Sequence, residues 1–298
     1  MKKLLASAIA LMAVTFSYAQ NNHDVTTQLG NLNRANVDQH GKQNSDKITQ
    51  KGNRNEADVS QYGEKNENVT WSQGNRNDEL VYQSGKRNSN DTWQKGNRND
   101  ATTKQYGKDN SVIQKQKGDD NSVYAMQCGN RNSITQDQNG DDNEATSTQY
   151  GNDNSAKQTQ KGDDNKAITW QNGADNVITQ SQDGDDNSAK AKQTGYDNKI
   201  TQKQVGDDNI LIAEQIGDDN TIKQTQRGDK NYAKDLQDGC DNEIIVLQIG
   251  DKHDHVGMQI GNNNSQDIFQ TSNSSGGDSC CNAPEMPDPR CSGSGDGC

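Results

Sequence analysis

The chain has 298 residues, of which 27% are hydrophobic and 4% aromatic, and its net charge is −12. So few apolar side chains cannot fill an ordinary globular core of that length. The acidity counts against nucleic acid as a partner, and a strict internal period counts against plain disorder.

Residues 1–19 read as a secretory signal peptide. Lys2 and Lys3 form a basic start, Leu4 to Val14 an apolar stretch, and Ser17-Tyr18-Ala19 a small-residue cleavage signal before Gln20. The apolar run is too short to span a bilayer as a helix. No second such run follows, so the mature protein is expected to be exported and not membrane-spanning.

Residues 20–271 are one uninterrupted repeat. Glycine stands at every eleventh position from Gly30 to Gly261, 22 units with no insertion or deletion. Two residues before each glycine stands Gln in 21 of the 22, Ser72 being the exception. Three residues after it stands Asn in 21 of the 22, His253 being the exception. A flexible Gly/Asn/Gln linker has no reason to hold phase in this way, and a helix is excluded by the recurring glycine and the two-fold alternation. Constant unit length implies stacked units, in which one extra residue would disturb its neighbours.

Within a unit, positions plus three, five, seven and nine from the glycine share one face of an extended strand. That face carries Asn, then small aliphatics such as Val112, Ile134, Ala156 and Ile178, then Gln. Every aromatic residue of the repeat, Trp71, Trp93 and Trp170 among them, falls outside it. The expected fold is all-β: an amyloid-like β-solenoid with Asn and Gln ladders. Identical amides stacked at roughly 4.7–4.8 Å can hydrogen-bond along the axis, which removes the cost of burying them. Representative ladder and turn positions are Gln116, Gly118 and Asn121, then Gln138, Gly140 and Asn143, then Gln160, Gly162 and Asn165. The glycine with the two residues after it is expected to make the turn, because glycine accepts positive φ. From Gln114 onward position plus seven is Gln in every second unit through Gln224, with small residues between. One layer is therefore expected to hold 22 residues in two strands and two turns.

Charge is uneven along the repeat. Residues 20–108 hold 13 basic and 11 acidic side chains, whereas residues 109–271 hold 15 and 28. On one edge, turns reading Asn-Arg-Asn give way to Asp-Asp pairs: Asp119 and Asp120, Asp141 and Asp142, Asp163 and Asp164, Asp185 and Asp186, Asp207 and Asp208. Such a row is either a solvated acidic face that confers solubility or a Ca²⁺ site built from hard oxygen ligands. The rod ends would expose unpaired strand edges, which template addition, and the charge difference favours docking one end on the other.

Residues 272–298 read as a disordered Gly/Ser/Pro/Cys-rich tail. Export permits disulfides, and Cys280, Cys281, Cys291 and Cys298 allow three pairings that the sequence does not choose between. Cys128 and Cys240 fall about five layers apart, too far to pair with each other within one chain. No nucleophile elbow, phosphate loop or zinc-protease motif is present, so no enzymatic role, catalytic residue or bound cofactor (the optional Ca²⁺ aside) is expected.

The unit Gln160-Lys161-Gly162-Asp163-Asp164-Asn165-Lys166-Ala167-Ile168-Thr169-Trp170-Gln171 resembles the curlin repeat of bacterial curli subunits. Its Gln, Gly, Asn, Ala and final Gln all match, and the resemblance extends over about residues 22–270. It departs where the family carries Ser, at Asn154 for example, and in repeat number, charge and the Cys-rich end. The resemblance implies a secreted subunit of an extracellular functional amyloid, served by curli-type secretion and nucleation proteins and supporting biofilm and adhesion. It leaves open a minor or nucleating subunit. The competing class is a monomeric solenoid, either a Ca²⁺-binding adhesin or an ice-binding protein, although the mixed outward residues lack the flat threonine row that ice would call for.

Overall fold

The computed structural model describes residues 21–272. The signal peptide expected over 1–19 and, apart from Ser272, the tail expected over 272–298 lie outside them, as do Cys280, Cys281, Cys291 and Cys298. Among the described residues all regular structure is β: 23 strands, opened by β1 (His23–Leu29) and β2 (Arg34–Lys42) and closed by β22 (Asp254–Ile260) and β23 (Ser265–Thr271). Odd-numbered strands form one 12-stranded sheet and even-numbered strands an 11-stranded sheet. Each strand pairs in parallel with the strand two further along, and register is in phase throughout. In β10 (Ser122–Asn130) and β12 (Glu144–Asn152), Val123 faces Ala145 and Gln127 faces Gln149. The chain is thus a β-solenoid of 22 residues per layer, and at the ordinary strand spacing it is a rod about 55 Å long.

The faces are as the alternation requires. In β10 every second residue is buried, and the same holds through most of the chain. The apolar filling is discontinuous. Ile48, Ala57, Val59 and Val81 form one cluster, while Ile178, Ile200, Leu211, Ile222, Ile244 and Val246 belong to another. The first is interleaved with a polar stretch in which Asp46, Asn68, Thr70, Glu79, Asn90 and Thr92 occupy inner positions at no more than 1% exposure. No helix among the described residues is long and apolar enough to cross a membrane.

The turns are tighter than a single glycine explains. Gly118 has φ of 126°, and a Cβ there would lie 2.0 Å from the carbonyl oxygen of Gly140 in the next layer. Only a residue without a side chain lets the two arcs approach. Two residues on, a non-glycine adopts the left-handed conformation in every arc, with φ between 54° and 60°. Arg, Lys, Asp and Asn hold nearly all these positions, Asp most often from residue 109 onward, and Asp and Asn are the types that tolerate this region best.

Candidate functional site

The functional features of a rod are its ladders, its edges and its ends. The Asn ladder closes each arc. Asn143 donates from its backbone N and from Nδ2 to Oδ1 of Asn121, at 3.1 Å each, and Nδ2 donates again to the Gly162 carbonyl at 2.8 Å. The Gln ladder runs the other way. Gln116 donates to Gln138 at 3.2 Å, Gln138 to Gln160 at 2.9 Å and Gln160 to Gln182 at 2.9 Å. Each of these amides also satisfies a carbonyl of the opposite sheet, as Gln138 does at Ser122, 3.0 Å away. The extra row at position plus seven forms a second ladder, from Gln114 to Gln136 at 3.0 Å and onward to Gln224. The amides of Gln116, Gln138, Gln160, Asn121, Asn143 and Asn165 are therefore buried and paired.

The acidic edge resolves into two roles. The first Asp of each pair accepts a backbone hydrogen bond from the previous layer: Asp119 N donates to Asp141 Oδ1 at 2.7 Å, Asp141 N to Asp163 at 2.8 Å and Asp163 N to Asp185 at 2.8 Å. The same contact is made by amides earlier in the rod, where Asn53 N donates to Asn75 Oδ1 at 3.2 Å. The exchange of Asn for Asp thus keeps the acceptor and adds charge. Asp185 and Asp207 continue the row. The second Asp of each pair, Asp120, Asp142, Asp164, Asp186 and Asp208, is the left-handed residue of the arc. Partial desolvation and the neighbouring carboxylates Asp142 and Asp186 push the Asp164 carboxyl above its usual value. At the boundary Arg98 pairs with Asp120, and on the opposite edge Arg87 pairs with Asp109 at 2.5 and 2.7 Å. Among the described residues no group of three or more His, Cys, Asp or Glu is placed to hold a metal ion.

Two carboxylates are buried in the polar stretch. Asp46 accepts from Asn68 Nδ2 at 2.7 Å, but its Oδ2 has no partner; nor has Oε2 of Glu79. Burial pushes Asp46 up to about 8, against the pull of Asn68, and Glu79 up to about 7, against Thr70, Thr92 and Asn90. A third acid, Asp235, is fully paired, with His255 Nε2 at 2.9 Å and Gln224 Nε2 at 2.6 Å. The sequence marked all three positions as inward without singling them out.

Outward side chains also stack. Trp71 and Trp93 lie parallel with ring centres 5.0 Å apart, and His40 stacks on Tyr62 at 5.1 Å. Cys128 is a free thiol and Cys240 is disulfide-bonded, so these two do not pair with each other. The sequence offered no signal for the Cys240 bond, since its neighbours in the repeat carry none.

Comparison with known proteins agrees with this geometry. The curlin associated repeat matches three stretches, residues 96–127, 129–161 and 184–217. No curated protein matches the chain. Two of the matched stretches lie wholly within the part of the rod that carries both Gln ladders, and the first overlaps its start. Within residues 96–217 the chain thus carries three matches to the curlin associated repeat.

Proposed function

We propose that the protein is the secreted structural subunit of an extracellular, curli-like amyloid fibre that grows by end-to-end addition and supports biofilm matrix and surface adhesion. The observation that carries this reading is the state of the two rod ends. Among the described residues no strand covers β1 and β2 at one end or β22 and β23 at the other, and β1 is exposed along its whole length. Such edges template further strands. The ladders are polar: Gln donors point toward the carboxy-terminal end and Gln acceptors toward the amino-terminal end, so one end complements the other. The charge difference between the amino-terminal and carboxy-terminal parts adds long-range attraction, which salt screens.

The test is incubation of the mature chain. Thioflavin-positive fibres with a reflection near 4.8 Å, elongating more slowly as NaCl is raised, are expected. A monomer that persists at micromolar concentration over days overturns the proposal.

A further inference from the structure

We infer that successive copies in the fibre are related by a half-turn about the rod axis, with β1 of the incoming copy seated on β22, and β2 on β23. This seat rests on the fibre reading above and adds its geometry.

The argument begins with the odd number of strands. The repeat stops inside the sequence at both ends, for Ala19 and Ser272 stand where arc glycines would fall. Between them lie 23 strands in a single-start coil, each resting on the strand two before it. The next open seats are therefore on β22 and then on β23. An incoming copy that placed β1 on β23 would carry β2 two layers above β22, leaving the β22 edge N–H and C=O groups unpaired. Seating β1 on β22 closes both edges, and it puts the odd sheet of the new copy on the even sheet of the old.

Side chains select the same seat. In it, Val25 stacks on Val256 and Leu29 on Ile260, all four exposed in the isolated chain at 40%, 68%, 55% and 69%. Inside, Val37 meets Ile268, and Asp24 comes over His255, the partner of Asp235. His23 meets Asp254. Gln259 and Gln270 each hold an amide whose ladder partner in this seat is Gln28 or Gln39 of the incoming copy, and Asn33 reaches Asn264. The alternative seat puts Val25 on Asp267, Thr26 on Ile268 and Asp24 on Gln266. The selected seat has one defect: Asn22 falls over His253, which has no Oδ1 to accept from it.

The test uses full-length chains carrying two cysteines and a short thiol crosslinker, with linked peptides mapped by mass. Val25→Cys with Val256→Cys is expected to link between copies in fibres, at least tenfold more than Val25→Cys with Asp267→Cys, in accord with strand spacings of about 4.8 Å. Equal or stronger linking of 25 to 267 overturns the seat but leaves the fibre reading standing. Failure of the unmodified chain to form cross-β fibres overturns both. Helical reconstruction of unmodified fibres gives an answer without substitutions: sheets that alternate in identity from copy to copy support the seat, and sheets continuous in identity overturn it. Asp24→Lys should slow elongation about tenfold, because it replaces the carboxylate that this seat sets over His255; unchanged elongation removes the Asp24–His255 contact from the seat.

Discussion

The amino-terminal and carboxy-terminal parts of the rod share one backbone and differ in what fills it. Up to about residue 108 the inner face mixes aliphatics with Asp46, Asn68, Glu79 and Asn90, and the arcs read Asn-Arg at 53–54, 75–76 and 97–98 and Asn-Leu, Lys-Gln, Glu-Lys or Lys-Arg elsewhere. Beyond it the filling is Ile, Leu, Val and Ala with a second Gln ladder, and the arcs turn acidic. Register and arc conformation do not change across this boundary. Arc chemistry therefore fixes the coil, whereas the filling needs only side chains that pair with copies of themselves along the axis.

If arcs are the common device, their loss should cost the same in both parts. Gly52→Ala and Gly140→Ala each place a Cβ against the next carbonyl oxygen, at 1.9 and 2.1 Å, on a backbone with φ of 126° and 141°. Each is expected to destabilise its layer and the layer above by more than about 4 kcal/mol, as read by hydrogen exchange of the flanking strands. A cost confined to one part would break the comparison.

The filling should behave in the opposite way, with effects specific to one part. Asp46 and Glu79 hold their protons more tightly folded than unfolded, so their contribution to stability is present below the usual carboxylate range and lost as pH rises toward 7 and 8. Strands around residues 46–92 are expected to loosen between pH 4 and pH 8 while those around 178–246 do not. Asp46→Asn with Glu79→Gln should raise stability at pH 8 by on the order of 2–4 kcal/mol, measured by the same exchange experiment. No pH dependence in that segment would show that the two acids are solvated.

Much of this was legible beforehand, for a physical reason. A strand has a side-chain period of two and a stacked coil allows no change in unit length, so the inner face, the ladders and the 22-residue layer followed from counting. What was not legible was the chemistry that a period does not encode. Glycine was expected to make the turn, yet the left-handed residue two positions on is as regular, and Asp at that position was its signal. Both Asp of each pair are candidate cation ligands by sequence, but the backbone N–H that one oxygen of the first accepts is not encoded in the pattern. Counting glycines gave 22 units, but 22 arcs separate 23 strands, and the odd number decides how the ends meet.

The second Gln ladder marks the carboxy-terminal part, and it offers a smaller and sharper test. Gln180→Ala removes the acceptor for Gln158 at 3.0 Å and the donor to Gln202 at 2.8 Å, and leaves the Ile168 carbonyl without its bond. A loss of about 2–3 kcal/mol is expected from the orphaned amides, seen as a lower denaturant midpoint. In the amino-terminal part, Ser72 already interrupts the first ladder and bonds Gln94 at 3.1 Å. Ser72→Gln should restore the row and stabilise by about 1 kcal/mol. If both substitutions were silent, the ladders would be consequences of the coil and not part of what holds it.

The smallest effect belongs to the acidic edge. Asp164 is raised by partial desolvation and by Asp142 and Asp186, so its repulsion grows as pH rises through its carboxyl range and fades on acidification. Asp164→Asn should stabilise the rod slightly at pH 7, with the gain shrinking as NaCl is raised, because exposed charges are screened over about 10 Å at 0.1 M salt. The comparison of ions settles what kind of face this is. Each first Asp already commits an oxygen to a backbone N–H, so Ca²⁺ at millimolar concentration is expected to shift the midpoint no further than Mg²⁺ or NaCl of equal ionic strength. A calcium-specific shift that vanishes in Asp164→Asn with Asp186→Asn would instead make the edge a cation site, and would set the carboxy-terminal part of the rod apart by ligand as well as by charge.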